Sequence, residues 1–180
     1  MRWYWVDRYV EFVSGSYAVG VKNVSLAEEH VHDHFPASPT MPNSLILEGI
    51  AQTGGLLVAE ANLFARRVVL AKVSKAKFYF EAVPGDTLTY RTEILELKQD
   101  GAMINATSHV GDKLQASVEL FFAHLSDNEN ERELFRPAEM LGWLQLLGLY
   151  EVGRDQQGKP LVIPPGLLVG STPPLSAATS

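Results

Sequence analysis

Residues 30–52 read HVHDHFPASPTMPNSLILEGIAQ. This stretch decides the fold, because a proline-stiffened segment here runs directly into the chain's one long apolar helix. Pro36, Pro39 and Pro42 recur at three-residue spacing after His34. Each ring locks its own φ and pushes the residue before it out of the helical region, so the segment is expected to be extended and stiff. From Ser44 to about Arg67 there is neither proline nor strict alternation, and Leu, Ala, Glu and Gln dominate. That predicts a helix of over twenty residues, about 30 Å long. Asn43, directly after Pro42, is the expected N-cap. Leu45, Ile46, Leu47, Ile50, Ala51, Leu56, Leu57 and Val58 surround the axis rather than forming one stripe, the pattern of a buried core helix. Gly54 and Gly55 weaken such a helix by about 1 kcal/mol each, which is tolerated where another backbone or a ligand comes close.

Working outward, residues 2–12 and 17–24 mix aromatic, β-branched and polar residues around the turn signals Ser14, Gly15 and Ser16, and predict two strands. After the helix come VVLAKVSKAKFYF, DTLTYRTEILELK, AMINATSHV and KLQASVELFFAHL, separated by VPGD, QDG and GD. These read as an antiparallel meander of four strands. One long central helix wrapped by an antiparallel sheet of five to six strands makes a two-layer α+β domain over residues 1–125. Residues 126–180 form an extension. SDNENERE (126–133) reads as a charged linker, Pro137 starts a short apolar helix AEMLGWLQLLGLY, and PPGLLVGSTPPLSAATS is irregular by composition.

Composition narrows the function. The 180 residues are 46% hydrophobic, enough for a core of ordinary size, and carry a formal charge of −6 with no basic stripe, which argues against nucleic acid. With no cysteine there is no thiolate nucleophile, disulfide or cysteine-ligated metal, which fits a reducing compartment. The N-terminal MRWYWVDRYVEF lacks the apolar run of a secretory signal, so a cytoplasmic protein is expected. Only eleven uncharged residues separate Glu48 from Glu60. A membrane span needs about 18 or more, so none is expected.

The same opening stretch carries the candidate chemistry. His34, on a stiff segment, has an imidazole suited to general-base work at neutral pH; the plainer reading is a structural loop histidine. Glu48 sits among aliphatic residues that would desolvate its carboxylate, raise its pKa and let it act as an acid. The opposing reading is an exposed carboxylate favoured by the helix N-terminus, which lowers the pKa. Gln52, four residues on, shares a helix face with Glu48 and would orient it or a departing water, and the free N–H groups at Asn43 and Ser44 would hold a substrate oxygen. His30, His32 and His34 alternate and would share one face of a strand, a possible zinc set, but the prolines and the lack of a further ligand point away from metal. There is no G-x-S-x-G elbow.

HFPASPTMPNSLILEGIAQ resembles the motif of the β-hydroxyacyl-acyl carrier protein dehydratases of fatty acid synthesis: His-Phe-Pro, two further prolines, then an aliphatic helix with an acidic residue and Ala-Gln. Weaker similarity runs through VDRYVEF, VKNVS, LAKVSKAKFYFEAVPGDTL and VGDKLQASVEL, so the resemblance spans roughly residues 2–124. It implies a hotdog fold, His34 removing the C2 proton of a 3-hydroxyacyl thioester, Glu48 protonating the leaving hydroxyl, and the Asn43 N–H polarising the thioester carbonyl. It implies no metal or organic cofactor beyond the phosphopantetheine of the acyl carrier protein. It also implies a homodimer in which His34 faces Glu48 of the other subunit, with three dimers assembled together in some members. Asn43 stands where that family usually has glycine, and Asp33 where it commonly has glycine, a charge expected to raise the pKa of His34. Arg66, Arg67, Lys72, Lys75 and Lys77 are candidates for a carrier-protein patch. Other functions open to such a chain are an acyl thioesterase and a non-catalytic acyl-binding module.

Overall fold

The computed structural model describes residues 4–125 and 136–168. β1 (Arg8–Val13) and β2 (Tyr17–Asn23) form an antiparallel hairpin. Gly15 turns it at φ +66°, a backbone conformation glycine adopts without steric strain. A one-turn helix α1 (Glu29–Asp33) and the long helix α2 (Asn43–Ala61) follow. Next come β3 (Arg67–Phe78), β4 (Thr87–Leu97), β5 (Gly101–Val110) and β6 (Lys113–Leu125). The chain then forms α3 (Pro137–Leu146), α4 (Leu149–Val152), β7 (Gly153–Arg154) and a 3-10 turn at Pro165–Leu167. The two expected layers are present: α2 lies across the sheet and touches β2, β3, β4, β5 and β6.

The sheet has seven strands in the order β3-β6-β5-β4-β2-β1-β7, one more than expected. The extra strand is β7, two residues that run parallel to β1 beside Phe12 and Val13, too short to leave a periodic signal. The four-strand meander is also corrected. β4, β5 and β6 are sequential hairpins, but β3 lies at the far edge against β6, and β4 pairs instead with β2, Tyr17 opposite Glu93 and Asn23 opposite Thr87. The turn signal at VPGD marks a reversal of the chain. It does not say which strand the returning chain will meet.

α2 has 19 residues, about 29 Å, and is shorter at its C-terminal end than expected. Asn43 is its first helical residue, with Pro42 in the cap position. It stops at Asn62, after which Leu63 (φ +52°) and Phe64 (φ +58°) turn the chain back toward β3. Two consecutive left-handed residues with side chains store of order 1–2 kcal/mol each. With no glycine or proline there, the sequence carries no visible stop. Ile46, Ile50 and Leu57 are fully buried against the sheet, each contributing about 1.5–3 kcal/mol. Gly54 allows the close approach expected of it, but to a sheet side chain: an added Cβ would collide with Ile104.

The described part of the extension belongs to the same core. Leu141, Leu144, Leu147 and Leu149 join the cluster that contains Ile46 and Ile50. The Tyr9 N–H donates to Leu147 O (2.8 Å) and the Ser14 N–H to Arg154 O (2.9 Å), tying the extension to β1. The expected linker 126–133 and the last part of the tail lie outside the described residues.

Candidate active site

Between β2 and α2 the chain is held by a buried cation. Lys22 Nζ, on a side chain 6% exposed, lies 2.7 Å from Glu28 Oε1 and 3.5 Å from Asp7 Oδ1. Losing one partner of a buried pair typically costs about 3–5 kcal/mol, and the partial exposure of both carboxylates puts this one toward the lower end. The anchor sets α1, in which His30 and His32 lie on a helix and not on a strand face. His30 packs edge-on against Trp5 (ring centroids 4.7 Å, 82°), and burial lowers its pKa. Among the described residues no three His, Cys, Asp or Glu side chains converge on a metal position.

His34 follows α1 directly and starts the proline segment, which is fastened along its length. The Thr40 N–H donates to His34 O (3.0 Å), the Ser38 N–H to Phe35 O (2.9 Å), and the Met41 N–H to Ala82 O (2.8 Å). The imidazole stacks on Phe35 (4.6 Å, 28°). Its Nδ1 lies 3.4 Å from the hydroxyl of Thr40, a residue 3% exposed, and that hydroxyl also reaches His34 O at 3.3 Å. When the hydroxyl donates to the carbonyl it accepts from Nδ1–H, which leaves Nε2 as the basic nitrogen. Thr40 was not singled out by its sequence position. A threonine between two prolines gives no sign that it is buried.

At the start of α2, Asn43 and Ser44 are exposed, and their N–H groups have no partner among the described residues. Glu48 is exposed, which corrects the expectation that its aliphatic neighbours desolvate it. At about 100° per residue it lies opposite Ile46 and Ile50, the two residues that face the sheet. Its Oε1 accepts a hydrogen bond from Gln52 Nε2 (3.0 Å), and Gln52 Oε1 accepts one from the Trp5 N–H (2.9 Å). Gln52 thus links the Glu48 carboxylate to the Trp5 backbone. Within one chain His34 and Glu48 do not hydrogen-bond to each other.

Glu48, Ala51, Gln52, Gly55, Leu56 and Ala59 border a groove of about 840 Å³, and His34 is not among its lining residues. Small-molecule sites commonly measure about 300–1,000 Å³. The far end is bounded by Phe64 and Arg67, and the side away from α2 by residues of the extension. Sequence reasoning did not decide where this helix packs, because a short apolar helix gives no address for the surface it will cover. Near the C-terminus of α2, Glu60 is 4% exposed and burial raises its pKa, partly offset by a hydrogen bond from Ser14. Burial and this carboxylate push the Tyr150 hydroxyl up to about 12.

Residues 4–118 match the model of the FabA-like domain family. The chain belongs to that family. It is 40% identical over 119 residues to the 3-hydroxyacyl-[acyl-carrier-protein] dehydratase FabZ of Desulforamulus reducens, covering 66% of this chain and 84% of that protein. To the enzyme of the same name from Enterococcus faecalis it is 35% identical, covering 66% and 83%. Among solved structures, a conserved protein of Pseudomonas aeruginosa superposes with a TM-score of 0.55 at 19% identity, covering 66% of this chain and 87% of that one. A Streptococcus mutans protein bound to acetyl CoA superposes at 0.58 and 12% identity, covering 71% and 95%. At these identities the structures speak to the fold alone, which is the hotdog fold. The family match ends at residue 118 and so leaves α3, α4 and β7 outside it.

Proposed function

We propose that this chain removes water from 3-hydroxyacyl thioesters carried on acyl carrier protein, giving trans-2-enoyl thioesters for fatty acid synthesis. The observation that carries this reading is family membership over residues 4–118, a span that holds both His34 and Glu48. His34 Nε2 takes the C2 proton and the C2–H pair becomes the C2=C3 bond. The C3–O bond breaks, and the hydroxyl leaves as water on receiving the Glu48 proton. The Asn43 and Ser44 N–H groups stabilise enolate-like charge on the thioester oxygen. A donor of that kind is worth about 2.7–4 kcal/mol, and general acid or base catalysis contributes roughly 100 to 10,000-fold. Gln52 holds the Glu48 carboxyl toward the groove. The electron count closes without a redox or organic cofactor, the phosphopantetheine arm serving only as carrier.

A homodimer with shared sites fits this chemistry. One chain leaves His34 away from the groove that Glu48 borders, and β3 is a twelve-residue outer strand, largely exposed, with Leu70 and Val73 on its surface. A long open edge of that kind is a template for pairing with a second copy. Assembly of such dimers into a trimer of dimers, and a cytoplasmic location, belong to the same reading. Arg66, Arg67, Lys72, Lys75 and Lys77, on or just before β3, supply positive charge for an acidic carrier protein. The test follows enoyl absorbance and free thiol together, using 3-hydroxyacyl-carrier thioesters. Enoyl product that falls at least 100-fold in both His34→Ala and Glu48→Gln is expected. Thiol release without enoyl product would make the chain a thioesterase instead.

A further inference from the structure

The groove beside Glu48 has a wall the family match does not include. α3 presents two faces: Leu141 and Leu144, three residues apart, are buried in the core, while Met140 and Trp143, at the same spacing, border the groove. Pro137 at the start of α3 and Pro164 and Leu167 near the 3-10 turn border it as well. The wall is anchored, since Leu144 and Leu147 are almost fully buried and the Leu147 carbonyl is bonded to β1. Trp143 packs on Tyr4, another lining residue, with ring centroids 5.5 Å apart. Opposite runs the α2 stripe from Glu48 to Ala59, twelve residues and about 17 Å along the axis. Glu48 and Gln52 mark the reacting end. Beyond them the stripe is Ala, Gly and Leu, which offer a substrate nothing to hydrogen-bond except backbone already used by the helix.

We propose that residues 137–167 form one wall of the acyl-chain channel, and that Met140 and Trp143 set the length of acyl chain the protein accepts. This rests on the dehydratase reading for the identity of the substrate. A carboxyl and an amide at one end, and walls that are apolar apart from Arg66 and Arg67 at the far end, suit a chain whose polar head lies at Glu48 and whose tail runs toward Phe64.

The test uses the full chain and 3-hydroxyacyl-pantetheine amides of increasing length, measuring Kd by calorimetry so that binding is read without turnover. Wild-type affinity rises about fourfold per methylene until the channel is full, then levels off. In Met140→Trp the plateau moves to shorter chains, and the longest ligand binds at least tenfold more weakly, while the shortest stays within twofold. In Trp143→Ala the plateau moves to longer chains. Should Trp143→Ala fail to fold, the half-exposed Met140 position decides alone. Identical length profiles in wild type and Met140→Trp would overturn the proposal. So would an unchanged profile with an altered molecular mass by light scattering, which would place a second copy of the chain in the groove. Length-dependent binding without enoyl formation would remove the dehydratase reading and leave the wall standing.

Discussion

At the scale of single residues, the candidate site includes groups that hold His34 and Glu48 as well as those side chains themselves. The Thr40 hydroxyl lies within reach of both the His34 carbonyl and Nδ1, so Thr40→Val removes the side-chain contact available to orient the ring. One hydrogen bond of this kind is worth about 1–1.5 kcal/mol, so kcat is expected to fall roughly tenfold with KM little changed. Thr40→Ser should restore most of the loss. A Thr40→Val enzyme with wild-type kcat would show that this contact does not position His34. His34 and Glu48 stood out as candidates in the sequence because the motif that carries them is local and its prolines are conspicuous. Thr40 did not, nor did the exposure of Glu48, because each depends on which side of an element meets the core.

At the scale of elements, α2 is a core helix whose C-terminal turn carries a buried charge. The Glu60 carboxyl has its folded pKa raised above the ordinary 4.5 by burial, so its ionisation opposes folding. This contribution is absent below about pH 4.5, grows as pH rises toward the folded pKa, and is fully present above it. Glu60→Gln keeps an acceptor for Ser14 and removes the charge. The variant should melt at a higher temperature than wild type at pH 8, with the two curves converging as pH falls toward 4.5. Parallel melting-temperature curves would show that Glu60 does not titrate on folding. Tyr150 of α4 lies close to this carboxylate, so the same measurement reports on the joint between α2 and the extension. The start of α2 could be read from Pro42 and Asn43, while its end could not, because Leu63 and Phe64 adopt left-handed backbone without a glycine to announce it.

At the scale of the whole molecule, His34 on its fastened loop and Glu48 on the groove face of α2 lie apart within one chain, which is the arrangement the proposed shared-site dimer requires. A shared-site dimer predicts complementation. Co-expressed His34→Ala and Glu48→Gln chains form mixed dimers in about half of cases, and each mixed dimer rebuilds one of two sites, so about a quarter of wild-type activity should return. The mass in solution should be at least twice the 19.8 kDa of the chain. Activity no greater than the sum of the separate variants, in a preparation shown to contain mixed dimers, would place both residues of each site in one subunit.

By itself the sequence determined the layers and the place of the candidate chemistry: an apolar helix against alternating strands, a proline-rich histidine segment, and an acid and amide one turn apart. Those properties follow from local stereochemistry and from spacing along the chain, which sequence records directly. Tertiary structure alone decided that β3 lies at the outer edge, that Glu48 faces a groove instead of the core, and that α3 closes its side. The reason is that these outcomes depend on pairings between segments far apart in the chain. Hydrophobic burial rewards any partner of suitable shape, so periodicity shows which face of an element is buried but not what buries it.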